Sequence, residues 1–331
     1  MKIYSAVIGM GIGKKHLDAM DGYNNSYVKV ICEKNKILRN ELKKKYPSKI
    51  ITRDENQIYQ DKSIKIVSIA SYDQYHYKQI MKCLNLNKNV IVEKPMCLNL
   101  NQLKKIYKLL NKRPKVKITS NLVLRTNSLF NEIKNRIKRK KVYYLEADYL
   151  WGRSEKLKGW RSRVREYSVI LGAAIHVIDL VMWLLNSRPI SVFATGNKIA
   201  SKGTKFNKNS FELIILEFPK NIKVKITGNA ACIFNHFHEL KIFAKDETIS
   251  HTFGGSYVIK KNRKKIEKRK LLGKYPDRQN RKILIRNFIK SVKDNKKDYI
   301  SKKDLFDVMS VCFYAQKSSK SGKKIKINYL K

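Results

Sequence analysis

Disulfide frameworks, membrane helices and repeat arrays are all missing from this chain. It has five cysteines in 331 residues, an odd number with no C-x-x-C pair, which excludes a disulfide framework and suits a reducing cytoplasm. The longest apolar run, Val177–Leu185, carries Asp179 and is far too short to span a bilayer. No secretory signal is expected ahead of the fold, because Ile3–Ile8 already reads as the first strand. No internal period of the solenoid kind is visible. Acid is scarce as well: 26 Asp and Glu stand against 73 Lys and Arg, a formal charge of +47.

A charge of that size attracts polyanions by counterion release. Here the basic residues are spread along the chain, with modest clusters only at Asn135–Lys141 and Lys260–Lys270. Neither cluster interleaves with aromatic stacking groups of the kind that hold single strands. Lys, Asn, Ile and Tyr are abundant together, as an A/T-rich genome produces. The charge therefore reads as a solvated surface property, with no specific nucleic-acid partner. With 30% charged and 43% apolar residues, the chain is that of a soluble globular protein able to bury two cores.

The first third alternates apolar strands with helical patterns, the βαβ signature. Strands are expected at Ile3–Ile8, Val28–Cys32, Ile64–Ala70, Asn89–Val92 and Val116–Ser120, most of them continuous apolar runs suited to burial on both faces. Helices are expected between them, the last at Leu100–Leu110 with Asn99 as its N-cap. After about residue 122 the rhythm changes to alternating strands, as in Lys223-Val224-Lys225-Ile226, which imply a sheet with one solvated face. A helix is expected over Val169–Leu185, and two more at Gln279–Lys293 and Lys302–Ser318. The fold class is thus an α/β doubly wound, mostly parallel domain over residues 1–122. An α+β domain with a large, open, mostly antiparallel sheet follows over 123–331.

The stretch Val7-Ile8-Gly9-Met10-Gly11-Ile12-Gly13-Lys14-Lys15-His16 reads as a strand entering a glycine turn that opens a helix. Backbone N–H groups and the positive helix end there suit a dinucleotide pyrophosphate. The spacing is G-x-G-x-G, one residue short of the usual fingerprint. Glu33 ends the second strand, placed to accept the ribose hydroxyls and to disfavour a 2′-phosphate, so NAD is expected; Lys34 beside it leaves NADP open. Glu93-Lys94-Pro95 ends another strand, and Pro95 keeps Lys94 out of helical geometry so that it projects from the strand end. Cys232, His236 and His238 lack the spacing of a metal site, and none is expected. In Tyr167–Asp179, helical spacing would put Gly172, His176 and Asp179 on one face.

Together these motifs resemble the glucose-fructose oxidoreductase/inositol dehydrogenase (Gfo/Idh/MocA) family, and the likeness covers nearly the whole chain. The resemblance implies that Lys94 and His176 are the catalytic pair, the lysine contacting the reacting hydroxyl and the cofactor and the histidine accepting the hydroxyl proton. Cofactor contacts would come from Gly9, Gly11, Ile12, Gly13, Glu33, Ser71, His76, Glu93 and Lys94. Substrate contacts would come from Lys94, Arg125, Trp160, Arg161, His176 and Asp179. Gly172 stands where the family commonly has an aspartate. The implied activity is hydride transfer between NAD(P) and a carbinol carbon of a sugar, nucleotide-sugar or cyclitol, in a homodimer or homotetramer, with surface-polysaccharide precursor synthesis as one role that the resemblance suggests. A silent nucleotide-sensing regulator and an NAD-dependent glycosidase are the alternatives on the same fold.

Overall fold

The computed structural model describes residues 2–24, 26–263, 265–276 and 279–330. The chain divides into two units, Met1–Thr126 with Arg278–Phe306, and Asn127–Asp277 with Asp307–Lys331. The sequence expectation of 123–331 as a single second domain therefore differs from the structure, because the segment before Asp307 returns to the first unit. The reason is visible in its helix. The apolar stripe Leu284, Ile285, Phe288 and Ile289 is fully buried, and Ile285, Phe288 and Ile289 share one core cluster with Val7, Met10, Leu17, Met20 and Ile31.

The first unit runs β1 (Ile3–Ile8), α1 (Gly13–Asp21), β2 (Ser26–Cys32), α2 (Lys36–Lys45), β3 (Ile50–Thr52), α3 (Asn56–Gln60), β4 (Ile64–Ile69), α4 (Asp73–Asn85), β5 (Asn89–Val92), α5 (Leu100–Asn111) and β6 (Ile118–Ser120). Its sheet is six-stranded in the order β3-β2-β1-β4-β5-β6, and every pair in it is parallel. That is the doubly wound dinucleotide-binding order, whose ligand crevice lies at the carboxyl ends of β1 and β4, where the winding reverses. Asn99 caps α5 as expected, its Oδ1 accepting from the Gln102 N–H at 3.0 Å. β3 and α3 were not anticipated. Three and five residues long, they are too short for either periodicity to show.

The second unit contains α6 (Ser128–Ile137), β7 (Val142–Leu150), α7 (Trp160–Arg163), α8 (Ile175–Leu185), β8 (Ser191–Asn197), β9 (Phe211–Glu217), β10 (Lys223–Asn229), β11 (Phe237–Ala244), β12 (Thr248–Thr252), β13 (Gly255–Asn262), β14 (Lys265–Lys270) and β15 (Ile325–Lys326). Later in the chain come α9 (Asn280–Lys293), which belongs to the first unit, and α10 (Lys302–Ser321), which starts in the first unit and continues in the second. The strands form a nine-stranded sheet, β14-β13-β12-β11-β7-β10-β9-β8-β15, in which only β7 and β10 run parallel. Its inner face is the alternate set Leu145, Ala147, Ile214, Leu216, Val224, Ile226, Leu240 and Ile242, all buried beside half-exposed neighbours. The basic cluster Lys260–Lys270 is largely the β13–β14 hairpin. Every residue of β14 is exposed, so backbone pairing and not an apolar pattern defines it. No helix among the described residues is long and apolar enough to cross a membrane.

Candidate active site

At the end of β1 the three glycines meet three different surroundings. Gly9 has φ +84°, and a Cβ there would lie 2.8 Å from the Ala70 carbonyl oxygen and 2.9 Å from Ser71 Cα. Only glycine lets the ends of β1 and β4 come this close. Gly11 has nothing within 4 Å of the Cβ position, so the backbone there is open to a ligand. A Cβ on Gly13 would touch Val7 Cγ1 at 3.0 Å, which is helix-on-strand packing. The shortened G-x-G-x-G spacing thus keeps the three separate functions. Ile12 is the N-cap of α1 without a capping side chain, the Lys15 N–H turns back to the Ile12 carbonyl at 3.0 Å, and no acid in the first turn offsets the positive helix end.

Glu33 clips this turn from the end of β2. Its Oε2 accepts from the Met10 N–H at 2.7 Å and its Oε1 from the Asn35 N–H at 2.9 Å. Lys34 turns away, its ammonium 4.5 Å from the ring centroid of Tyr75. After β4, the Ser71 hydroxyl donates to Gln79 Oε1 at 2.6 Å. Both nitrogens of His76 meet backbone carbonyls, Pro95 at 2.8 Å and Ser71 at 3.0 Å. Expected among the cofactor contacts, His76 instead braces the Ser71 loop against the segment that follows Lys94.

Glu93 is likewise a brace. His16 bridges Ser68 Oγ through Nδ1 at 2.8 Å and Glu93 Oε1 through Nε2 at 2.9 Å, and the Asn121 amide donates to the same Oε1 at 2.5 Å. Because a carboxylate only accepts, His16 Nε2 carries the proton of that bond. Burial pushes the Glu93 carboxyl up, but the His16 hydrogen bond and charge, with Arg281 and Lys94, outweigh it and hold it at about 2. A buried anion is therefore fixed one residue before Lys94. Arg125, expected to touch substrate, is buried and pairs through Nη1 with Asp304 Oδ2 at 2.8 Å. Neither Asn121 nor Asp304 was singled out from the sequence; each acquires its role only through a strand end or helix far along the chain.

In the second unit the helix expected over Val169–Leu185 is broken in type. Ile170–Ala174 is a π-turn and α8 begins at Ile175. Wider winding removes the simple α-helical face drawn through Gly172, His176 and Asp179. His176 lies over the sheet, its ring stacked on Tyr149 with centroids 5.7 Å apart and planes at 19°, and with His238 edge-on at 6.1 Å. Tyr149 in turn bonds His236 Nε2 at 2.9 Å, and Tyr275 bonds His238 Nδ1 at 2.6 Å. Burial raises Tyr149 and Tyr275 well above the ordinary phenol value, so both phenols are neutral at pH 7. Asp179 is 0% exposed and electrostatically close to Cys312 of α10. Expected as a substrate contact, it is walled into the core in this structure.

Arg161 lies 4.3 Å from the Trp160 ring and 5.5 Å from that of Trp151, stacked between aromatics as a guanidinium favours. Around it run Arg153, Lys156, Lys158, Arg163 and Arg165, all exposed. Among the described residues no group of three or more His, Cys, Asp and Glu could hold a metal ion.

Sequence comparison agrees with this geometry. A model of an oxidoreductase family with an NAD-binding Rossmann fold, Gfo/Idh/MocA, matches residues 3–121, and the model of that family's C-terminal domain matches residues 138–250. The chain belongs to the Gfo/Idh/MocA family. Myo-inositol 2-dehydrogenase of Thermotoga maritima is 18% identical over 326 residues, 97% of each chain. Among solved structures, myo-inositol 2-dehydrogenase from Lactobacillus plantarum superposes with a TM-score of 0.86 at 16% identity, over 99% of this chain and 100% of the other. Levoglucosan dehydrogenase in complex with NADH and L-sorbose superposes with a TM-score of 0.87 at 17% identity, over the full length of both. At such identities the structures share the fold.

This Gfo/Idh/MocA member has a cofactor-binding domain whose residues fit NAD. Gly11 leaves open space beside the turn, no side chain caps the start of α1, and Glu33 holds the turn from the end of β2. What sequence reading missed is the phenol–imidazole shell of Tyr149, His236, His238 and Tyr275. Its one legible sign was the alternation that puts His236 and His238 on the same side of a strand.

Proposed function

We propose that this chain is an NAD-dependent dehydrogenase or reductase acting on a secondary hydroxyl of a sugar, nucleotide-sugar or cyclitol. The observation that carries the reading is the His176 imidazole held over phenols and imidazoles, a set of donors and acceptors suited to a polyhydroxylated ring. The NAD-binding family and the polyol dehydrogenases among its relatives support it. Bound NAD supplies the hydride acceptor or donor. His176 accepts or returns the hydroxyl proton, and Lys94, fixed by the buried anion of Glu93 before it, contacts the reacting oxygen. Glu33 disfavours a 2′-phosphate.

Within that class we favour a substrate bearing phosphate, such as a nucleoside-diphosphate sugar. The support is the basic segment Arg153–Arg165, whose Arg153 and Arg161 are near enough to Tyr149 to act on its ionisation. Assembly as a homodimer or homotetramer belongs to the same reading and is checked by light scattering. A role in precursor synthesis for a surface polysaccharide would follow from such a substrate.

The test is nicotinamide absorbance with panels of inositols, free sugars and nucleotide-sugars, with product masses recorded. Lys94→Ala and His176→Ala should each lower turnover by on the order of a hundredfold or more, with NADH affinity nearly unchanged in His176→Ala. Near-native turnover in both variants would refute the catalytic assignment. Products showing glycosidic cleavage without net redox change would favour a glycosidase, and NADH binding with no turnover at all would favour a sensor.

A further inference from the structure

Position 172 is closed to side chains by a tyrosine from its own segment. A Cβ on Gly172 would overlap the phenol oxygen of Tyr167 and stand 2.6 Å from its Cζ and 3.1 Å from its Cε2. The ring is not placed to swing aside. Tyr167 is 3% exposed, with Trp160 and Phe206 edge-on at 6.1 Å and 5.8 Å and the Arg161 guanidinium 5.9 Å from its centroid. Its hydroxyl thus fills the volume of a side chain rooted about one helical turn before His176. Tyr149 is the ring on which His176 stacks, with centroids 5.7 Å apart. One phenol thus lies over the His176 ring, and another lies against Gly172 in the turn that leads into it.

We propose that Tyr167 is a positioning residue for His176. Its phenol fills the space that Gly172 leaves, fixes the π-turn Ile170–Ala174, and so holds the imidazole against Tyr149. Ser168 completes the turn, its carbonyl accepting from the Gly172 N–H at 2.9 Å and its hydroxyl accepting from the Leu171 N–H at 3.2 Å and from Gln316 at 2.8 Å. Tyr167 and Gly172 form one device, because a side chain at 172 and the ring at 167 exclude each other. The proposal rests on the catalytic role given to His176 above, but part of its test does not.

Four variants decide it: Tyr167→Phe, Tyr167→Leu, Gly172→Ala and the Leu/Ala double. Melting curves should show Gly172→Ala strongly destabilising in the native background and much less so beside Tyr167→Leu, where the ring tip is gone. Tyr167→Phe keeps the packing, so it should melt and bind NADH as the native protein does. Its His176 ring nitrogens should nevertheless shift in the NMR spectrum, assigned by comparison with His176→Ala. Turnover should fall on the order of tenfold at unchanged KM, part of the roughly hundredfold that a full ångström of misplacement costs. Additive effects of Gly172→Ala and Tyr167→Leu would overturn the proposal. So would a Tyr167→Phe protein with native His176 resonances. If no polyol is turned over, the proposed function fails, while the stability coupling and the imidazole spectrum still decide the place of Tyr167.

Discussion

Alanine at each glycine of the first turn separates what the fold needs from what the cofactor needs. Gly9→Ala forces an L-residue to φ +84°, which costs about 1–2 kcal/mol. It also drives a methyl group to within 2.8 Å of the Ala70 carbonyl. Backbone on the facing strand cannot yield as a side chain can, adding about 1–3 kcal/mol of overpacking. The sum, about 2–5 kcal/mol, corresponds to a fall of roughly 5–15 °C in the melting midpoint for a domain of this size. Gly11→Ala meets nothing within 4 Å, and a narrower unfolded ensemble should stabilise it by about 0.4–1 kcal/mol. In the proposed cofactor site its methyl group would meet the pyrophosphate, so NADH affinity should drop by about tenfold or more, or ~1.4 kcal/mol. For Gly13→Ala the helix gains about 0.8–1 kcal/mol, offset by the 3.0 Å contact with Val7 Cγ1, for little net change. Scanning calorimetry and calorimetric NADH titration on the three variants measure both quantities. Gly9→Ala melting like the native protein, or Gly11→Ala binding NADH with native affinity, would refute the reasoning.

Two further predictions concern acid. His251 is 2% exposed among Phe130, Phe237 and Tyr275, and burial holds it down at about 4 from 6.5. The unfolded imidazole takes a proton that the folded one refuses, so its contribution is present above pH 6.5 and is lost as pH falls towards 4, ~3 kcal/mol in full. His251→Leu should flatten the melting profile across that window, and an unchanged slope would disprove the assignment. Glu93 is held at about 2 instead of 4.5, so its stabilisation is present above pH 4.5 and is lost as pH falls towards 2. Glu93→Gln should therefore be less stable at pH 7, by up to ~3–5 kcal/mol if the buried pair is broken. Chemical denaturation at pH 7 and pH 3 should show the gap narrowing in acid, and a gap independent of pH would show that charge is not what Glu93 contributes.

Local chemistry made half of this protein legible in its sequence. β1, the glycine turn, Glu33, Glu93-Lys94-Pro95 and the Asn99 cap are each set by neighbours a few residues away, and strands buried on both faces announce themselves as apolar runs. β14 was illegible because its six residues are all exposed and its position comes from pairing with β13. Other features depend on distance along the chain. α9 joins the first unit because Phe288 and Ile289 complete a core begun by Val7 and Met10, and amphipathic spacing says only that a helix buries a face, not which one it meets. His16 and Glu93 are 77 residues apart, and Tyr149 and His176 meet only because α8 packs on β7. The sequence by itself determined the family and the NAD-binding domain, and it singled out the glycine turn, Lys94 and His176 that the proposal rests on. Tertiary structure alone decided that Arg125, Asp179 and His76 are held in place by other groups, and that Tyr167 occupies the space beside Gly172, because burial and steric exclusion arise only when distant segments pack.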